Sequence, residues 1–230
     1  MNVEVVRKQI KNLHLAVYPP EGRVRVAVPL HINDENVRLA VINKLGWIKR
    51  QQTRFMSQPR QSQREYVTGE SHYFRGKRYR LNVIEAPGRQ WVEIASLTRI
   101  TLHIQQGKDA ASRHRVMEEW YRQQLKDVLP PLIHKWEDKI GVTIKEWQVK
   151  KMKTRWGSCN SSARRIWLNL ELAKKPIDCL DYVIVHEILH LLESSHNENF
   201  VALMNRYLPK WRFHKDELNK LPVKHEDWKY

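Results

Sequence analysis

The sequence predicts an α+β protein, because a β-strand pattern and then a helical pattern follow each other along its 230 residues. In the first part Val, Ile and aromatic residues alternate with polar residues, as in strands. In the second part apolar residues recur at the spacing of one helix face. The change falls near residue 105. We therefore predict a β-rich N-terminal domain with one helix over 1–105, and a mostly helical C-terminal domain with a small sheet over 106–230.

The predicted strands of the N-terminal part are separated by turn residues. The clearest alternation is Arg23–Val26, and Pro19, Pro20 and Gly22 mark the turn before it. Gly76 marks a later turn. Strands are predicted within 3–28 and over 73–83, 91–95 and 99–104.

One helix is predicted between these strands. Asn33 or Asp34 can cap it, because a short polar side chain accepts a hydrogen bond from a free N–H of the first turn. The stretch over 51–64 is rich in Gln, Arg and Ser, which predicts a loop or the frayed end of that helix. The apolar stripe of the helix consists of Val37, Val41, Leu45 and Ile48.

The C-terminal part is predicted to hold helices beside short strands. Pro130 and Pro131 are expected to interrupt a helical stripe that begins at Met117, and Gly141 is expected to end its second piece. The segment Arg164–Leu170 is predicted to be a free sheet edge, to which an extended peptide could add as a strand. Strands are predicted over 144–149 and 165–168, and helices over 177–192, 197–208 and 211–220.

The chain is strongly basic. Its 41 Lys and Arg residues outnumber 25 Asp and Glu residues, which gives a net charge of +16. Such a charge attracts nucleic acid, nucleotides, acidic peptides or anionic membranes, or it serves solubility alone. The charge therefore suggests an anionic partner without identifying it.

The composition argues against several classes of protein. No apolar run reaches the roughly 18 residues that cross a membrane, and the charges near the start do not suit a signal peptide. The two cysteines, Cys159 and Cys179, cannot form a framework of disulfides. We expect a cytoplasmic protein with no membrane partner, and no sequence feature determines its oligomeric state.

The chemistry is concentrated in the sequence His186-Glu187-Ile188-Leu189-His190. Histidines four positions apart lie on one helix face, so both imidazoles can reach one metal ion. Glu187 lies beside His186 and can hydrogen-bond a water on that metal. Because this pattern is set in an apolar helix, we favour a metal site over a buried helix whose histidines only satisfy hydrogen bonds.

A third protein ligand would leave one coordination position open, as in a catalytic zinc site. His196 is our first choice, because the residues before it can form a turn that returns its side chain to the metal. The spacing matches H-E-x-x-H-x-x-G-x-x-H, except that Glu193 replaces the glycine. Glu193 is the second choice as a ligand, or an acceptor for the His190 N–H, and Glu217 is a remote third.

Further motifs follow in a fixed order along the chain. They are Lys153-Thr154-Arg155-Trp156-Gly157-Ser158-Cys159, Leu168-Asn169-Leu170, Pro176, Asp181–Leu191 and His196-Asn197-Glu198-Asn199-Phe200. Together they closely resemble the YgjP-like metallopeptidase family, which is related in its core to SprT-like and WLM-type zinc peptidases. The resemblance is strong over 145–211 and extends weakly to Gly22–Val26 and Tyr73–Tyr79.

The resemblance implies a zincin-like fold for the C-terminal part. It also implies that His186, His190 and His196 are zinc ligands and that Glu187 is the general base. A nucleotide-pyrophosphatase activity has been attributed within that family as well, and the positive charge of this chain suits such a substrate.

Arg155 is the second predicted catalytic residue. By the resemblance its strand lies near the HExxH helix, where a guanidinium can hold a carboxylate or phosphate or stabilise an oxyanion. The alternative is a solvated basic strand with one buried Arg paired to an acidic residue. Cys159 has no CxxC partner and is predicted to be a small buried residue. The tryptophans predicted to pack in the core are Trp147, Trp156, Trp167 and Trp211.

Three functions are consistent with these residues. The preferred one is a zinc-dependent hydrolase of peptide bonds, in which His186, His190 and His196 hold zinc (Zn2+) and Glu187 activates its water. The second is a metal-dependent phosphohydrolase that releases pyrophosphate from a nucleoside triphosphate such as UTP. The third is a nucleic-acid-binding protein with a non-catalytic metal site. The expected substrate is therefore a peptide or a nucleotide.

Overall fold

The computed structural model describes residues 2–18, 21–57, 64–152 and 155–220, and it confirms the predicted α+β class. Pro19 and Pro20 of the predicted turn, and Lys153 and Thr154 of the motif before Arg155, lie outside the described residues. The chain divides into two compact units between residues 63 and 64. No helix among the described residues has the length and hydrophobicity needed to cross a membrane.

The N-terminal unit consists of a three-stranded sheet and two helices. Its elements are β1 Val3–Lys8, β2 His14–Tyr18, β3 Arg23–Pro29, α1 Asp34–Asn43 and α2 Leu45–Ser57. Strand β3 lies between the other two, parallel to β1 and antiparallel to β2. Val24, Val26 and Val28 are buried, as the alternation along β3 predicted.

The helical part of this unit is longer than predicted. Asn33 caps α1, and its side chain accepts a hydrogen bond from the Asn36 N–H at 2.9 Å. Helix α2 continues to Ser57, so the predicted loop does not begin at residue 51, and residues 58–63 lie outside the described part. The Gln52 amide donates to the Gly22 carbonyl at 2.8 Å, which ties the second half of α2 to the turn before β3.

The second unit begins with the strands β4 Ser71–Phe74, β5 Lys77–Glu85, β6 Trp91–Ser96 and β7 Arg99–Ile104, close to the predicted segments. They form one sheet in the order β4-β5-β7-β6, with β5 and β7 parallel. Leu81, Ile100 and Leu102 share a buried cluster with Met117 of the helix that follows. The predicted boundary at residue 105 therefore does not coincide with the division between compact units, because a change of hydrophobic period does not reveal which elements pack together.

Helix α3 runs without a break over Ala110–Ile140, so the prediction that Pro130 and Pro131 interrupt it was wrong. A proline inside a helix costs about 3 kcal/mol or more, because it removes a backbone hydrogen bond. The buried face of α3 continues across the prolines from Leu129 to Ile133. Each such side chain contributes roughly 1.5–3 kcal/mol on burial, which offsets the cost.

A smaller sheet packs against the HExxH helix. Its strands are β8 Glu146–Lys150, β9 Gly157–Asn160 and β10 Arg165–Asn169. Their order is β8-β10-β9, with β10 parallel to β8 and antiparallel to β9. The prediction that Arg164–Leu170 is a free edge was therefore wrong, because β10 is paired on both sides. Strand β9 pairs with one side of β10, and it is too short and polar to show the alternation of apolar and polar residues that predicts a strand.

Three helices complete the second unit after a short 3₁₀ helix at Leu170–Lys174. They are α4 Ile177–Leu189, α5 Glu198–Tyr207 and α6 Trp211–Lys220. The turn between β4 and β5 is hydrogen-bonded to the segment just before α4. Its residues Arg75 and Gly76 both have positive φ, and their N–H groups donate to the carbonyls of Ala173 and Lys174 at 3.0 and 3.1 Å.

Gly76→Ala is expected to lower the free energy of unfolding by roughly 2–4 kcal/mol. A Cβ at this position would lie 2.7 Å from Cγ of Pro176, and the backbone φ of +79° is unfavourable for alanine. Gly107→Ala is the matched control, because its φ is +75° and no atom lies within 4 Å of the added Cβ. Urea unfolding of both variants measures the difference, and equal losses would show that the contact with Pro176 contributes nothing.

Candidate functional site

A cleft of about 480 Å³ separates α4 from the segment that leads into β9. Residues 155–159 form one side, and α4 and the turn after it form the other. The cleft also contains Tyr182, whose ring stacks on Trp211 at a centroid distance of 6.4 Å. The residues that the sequence assigned to the site all line this cleft, namely Arg155, His186, Glu187, His190 and His196.

Helix α4 holds its two histidines on a largely apolar, buried segment. The helix ends at Leu189, three residues earlier than predicted, and His190 is its C-cap. His190 keeps the right-handed helical conformation, with φ −65° and ψ −11°. The rings of His186 and His190 therefore remain one turn apart, with centroids 4.9 Å from each other. The apolar residues that α4 buries around them include Val183, Ile184, Val185 and Ile188.

The turn after α4 brings His196 to the other two histidines. Nε2 of His196 lies 2.9 Å from Nε2 of His186, and one nitrogen of each of the three rings lies within 4.8 Å of the others. No second group of three such ligating side chains occurs among the described residues. Glu193 does not have a positive φ, so the turn needs no glycine at this position.

Glu193 contributes to the site through its backbone. Its carbonyl accepts a hydrogen bond from Nδ1 of His190 at 3.0 Å, which orients the ring so that Nε2 is the nitrogen available to a metal. Its carboxylate accepts hydrogen bonds from the N–H and hydroxyl of Ser195 at 3.2 and 2.9 Å. Neither Glu193 nor Glu217 belongs to the ligating group, and Glu217 lies against Cys179 instead, with Oε2 3.7 Å from Sγ.

Phe200 is a site residue to which sequence reasoning gave no role. Its buried ring lies 5.0, 4.8 and 4.8 Å from the ring centroids of His186, His190 and His196. Asn197 caps α5 by accepting a hydrogen bond from the Phe200 N–H at 3.0 Å. The ring therefore packs against all three imidazoles. The sequence feature that could have indicated this role is the position of Phe200 in the His196–Phe200 motif.

The cleft shifts the pKa values of its acidic and basic groups in opposite directions. Burial raises the pKa of Glu187 to about 8, against the opposing charge of Arg155. Burial, together with the neighbouring His190 and His196, lowers the pKa of His186 to about 3. The ring of His186 is therefore neutral, which is the form that binds metals. Arg155 is exposed, and its guanidinium makes no hydrogen bond or ion pair with another described residue.

Asn169 holds the backbone beside Arg155. Its side-chain amide donates to the carbonyls of Met152 and Arg155 at 2.9 and 2.7 Å, and its oxygen accepts from the Glu171 N–H at 3.1 Å. Asn169 is itself buried at the end of β10. The backbone that carries the guanidinium of Arg155 is thus fixed to the sheet.

The remaining predicted residues occupy the surroundings of the site. Cys159 lines the cleft and is only partly buried, and burial raises the pKa of its thiol to about 11. Trp167 lies under Lys150, whose Nζ is 3.2 Å from the ring centroid. The tryptophans that pack against the core as predicted are Trp147, Trp156 and Trp211.

Comparisons with known proteins identify a family for the chain. The sequence model of a family described as YgjP-like, metallopeptidase domain, matches residues 11–221. Among solved structures, the crystal structure of the metallopeptidase zymogen of Pyrococcus abyssi abylysin is similar with a TM-score of 0.36 and 16% identity. That match covers 38% of this chain and 89% of the other, and it is too distant to support an inference about the site. No curated protein matches the chain.

Proposed function

Because this chain belongs to the YgjP-like family with its metallopeptidase domain, we propose that it is a zinc-dependent hydrolase that cuts peptide bonds in the cleft. The observation that carries the proposal is the convergence of three imidazoles within 4.8 Å in a cleft that also contains Glu187 and Arg155. A structural zinc site would use four protein ligands, whereas three leave a position open for catalysis.

The residues present fit a zinc ion. Imidazole nitrogens are among the ligands that zinc prefers, and the Glu193 carbonyl fixes the tautomer of His190 that such a ligand requires. His186, His190 and His196 would hold the ion. Zinc bound there would polarise the scissile carbonyl and lower the pKa of the attacking water.

Glu187 acts as the general base. Its carboxyl group lies in the cleft beside His186, on the side that faces residues 155–159. There it takes a proton from the attacking water and passes it to the leaving amine. The Glu187 side chain is buried between α4 and β9, which holds the carboxyl in place, and it does not belong to the group of three ligating side chains.

Arg155 binds the charge that develops on the substrate. Its guanidinium has no ionic partner among the described residues, so its charge is available to an anion in the cleft. An oxyanion and a carboxylate are both suitable partners. A phosphate is equally suitable, and with the net charge of +16 this makes a nucleoside triphosphate the second candidate substrate.

Strand β9 supplies an edge for the backbone of an extended substrate. It pairs with β10 on one side, and no strand in the described part of the chain pairs with its other side. Gly157, Ser158 and Cys159 of this strand line the cleft. An extended peptide adds along this strand through main-chain hydrogen bonds. The binding edge that the sequence predicted at β10 is therefore proposed at β9 instead.

The proposal is tested by zinc loading followed by a peptide screen. The full chain is stripped with a chelator, reconstituted with zinc, and incubated with a mixed peptide library that is analysed by mass spectrometry. We expect one zinc per chain and peptide cleavage that the chelator abolishes and zinc restores. A fully zinc-loaded chain that cuts no peptide would contradict the proposal.

Arg155→Met is expected to lower kcat/KM by roughly 10–100-fold, because one charge-assisted hydrogen bond in the transition state is lost. Zinc content is expected to stay unchanged. Arg99→Met is the matched control, since it removes the same charge from an exposed position on β7 that does not line the cleft. If both variants keep the parent kcat/KM, Arg155 has no part in hydrolysis.

A further inference from the structure

The backbone conformation of Gly157 does not require glycine. The chain has eight glycines, and six of them have a positive φ that favours glycine. Gly46 and Gly157 do not. Gly46 lies in helix α2, where an added Cβ would meet only the far end of Arg50, at 3.6 Å. Gly157 is the first residue of β9, paired with Leu168 of β10, and strand residues normally carry side chains.

The space beside Gly157 is occupied by the proposed general base. A Cβ on Gly157 would lie 2.6 Å from Oε1, 2.7 Å from Cγ and 2.9 Å from Cδ of Glu187. Real Cβ atoms essentially never approach other heavy atoms this closely. The β9 backbone therefore lies directly against the carboxyl group, at a distance that only glycine permits.

We propose that Gly157 is a positioning residue, which keeps β9 against α4 so that the carboxyl of Glu187 stays at its place in the cleft. Glu187 is buried on its other sides, so an added methyl group displaces either the carboxyl or the strand. Displacement of the carboxyl moves the proposed general base. Displacement of β9 moves the proposed edge for the substrate backbone, so either one affects the proposed reaction. The inference rests on the proposed function for its catalytic consequence, whereas the contact itself can be tested without it.

The test is a double-mutant cycle on the full chain. Gly157→Ala is expected to keep one zinc per chain, to lower kcat by roughly 100-fold with KM little changed, and to lower the melting temperature by roughly 3–10 °C. In the Glu187→Ala background, Gly157→Ala is expected to leave the melting temperature unchanged or to raise it, because the colliding side chain is gone. Gly46→Ala is the matched control and is expected to raise the melting temperature slightly, since alanine favours a helix.

Equal falls in melting temperature in the two backgrounds would overturn the proposal, because they would assign the glycine to the strand alone. Hydrolysis at the parent rate by Gly157→Ala would overturn it as well. If the parent cuts no peptide, the proposed function fails, and the melting cycle still decides whether Gly157 makes room for Glu187.

Discussion

Glu187→Gln is expected to abolish hydrolysis while leaving zinc bound and the fold intact. The glutamine keeps the size and hydrogen-bonding shape of the side chain but cannot take a proton. A positioned general base contributes typically about 10²–10⁴-fold, and we expect a loss of kcat in this range. Burial of the ionised carboxyl is unfavourable, as its raised pKa shows, so the neutral amide should not lower the melting temperature.

The control for this variant is Glu119→Gln, which makes the same change on the exposed side of α3. Turnover, zinc content and melting temperature are measured for both variants on the substrate that the screen identifies. Hydrolysis by Glu187→Gln at the parent rate would rule out the glutamate mechanism for any bond. Loss of zinc would instead make Glu187 a ligand and close the position proposed for catalysis.

His196→Ala is expected to lower zinc affinity by at least roughly 100-fold and to abolish hydrolysis. Changes around zinc ligands already cost about 10–100-fold in affinity, and this change removes a ligand itself. His196 is exposed on a turn, so most of the fold should survive its loss. His134→Ala, on the exposed surface of α3, is the matched control. Competition with a zinc-binding dye measures the affinities.

Full retention of zinc by His196→Ala would place the third ligand elsewhere. Glu193 is the nearest alternative in the chain, and its carboxylate is tied to Ser195 in this structure. The double variant His196→Ala, Glu193→Gln then decides between these two residues, because it should lose zinc only if Glu193 has become the ligand.

Local features of this protein could be predicted because they depend on neighbours in sequence. The spacing of His186 and His190 determines that they share a helix face, and α4 places them on one face. The alternation at Arg23–Val26 likewise predicted the buried valines of β3. In both cases a regular period carried the information.

Features that depend on packing between distant segments could not be predicted. The prolines of α3 predicted a break, but the buried face that outweighs them becomes visible only when the helix is packed. Strand β10 was expected at an edge, because nothing in the short, polar β9 indicates a pairing partner. The contacts of Phe200 and Gly157 with the site residues are likewise tertiary, and the motifs that contain these two residues do not reveal what they contact.

The measurement that tests the account most directly compares two substrates on one zinc-loaded preparation of the full chain. A peptide library and a set of nucleoside triphosphates including UTP are incubated separately, with and without a chelator. We expect zinc-dependent cleavage of peptide bonds that Glu187→Gln abolishes. Release of pyrophosphate from a nucleotide, with every peptide left intact, would contradict it.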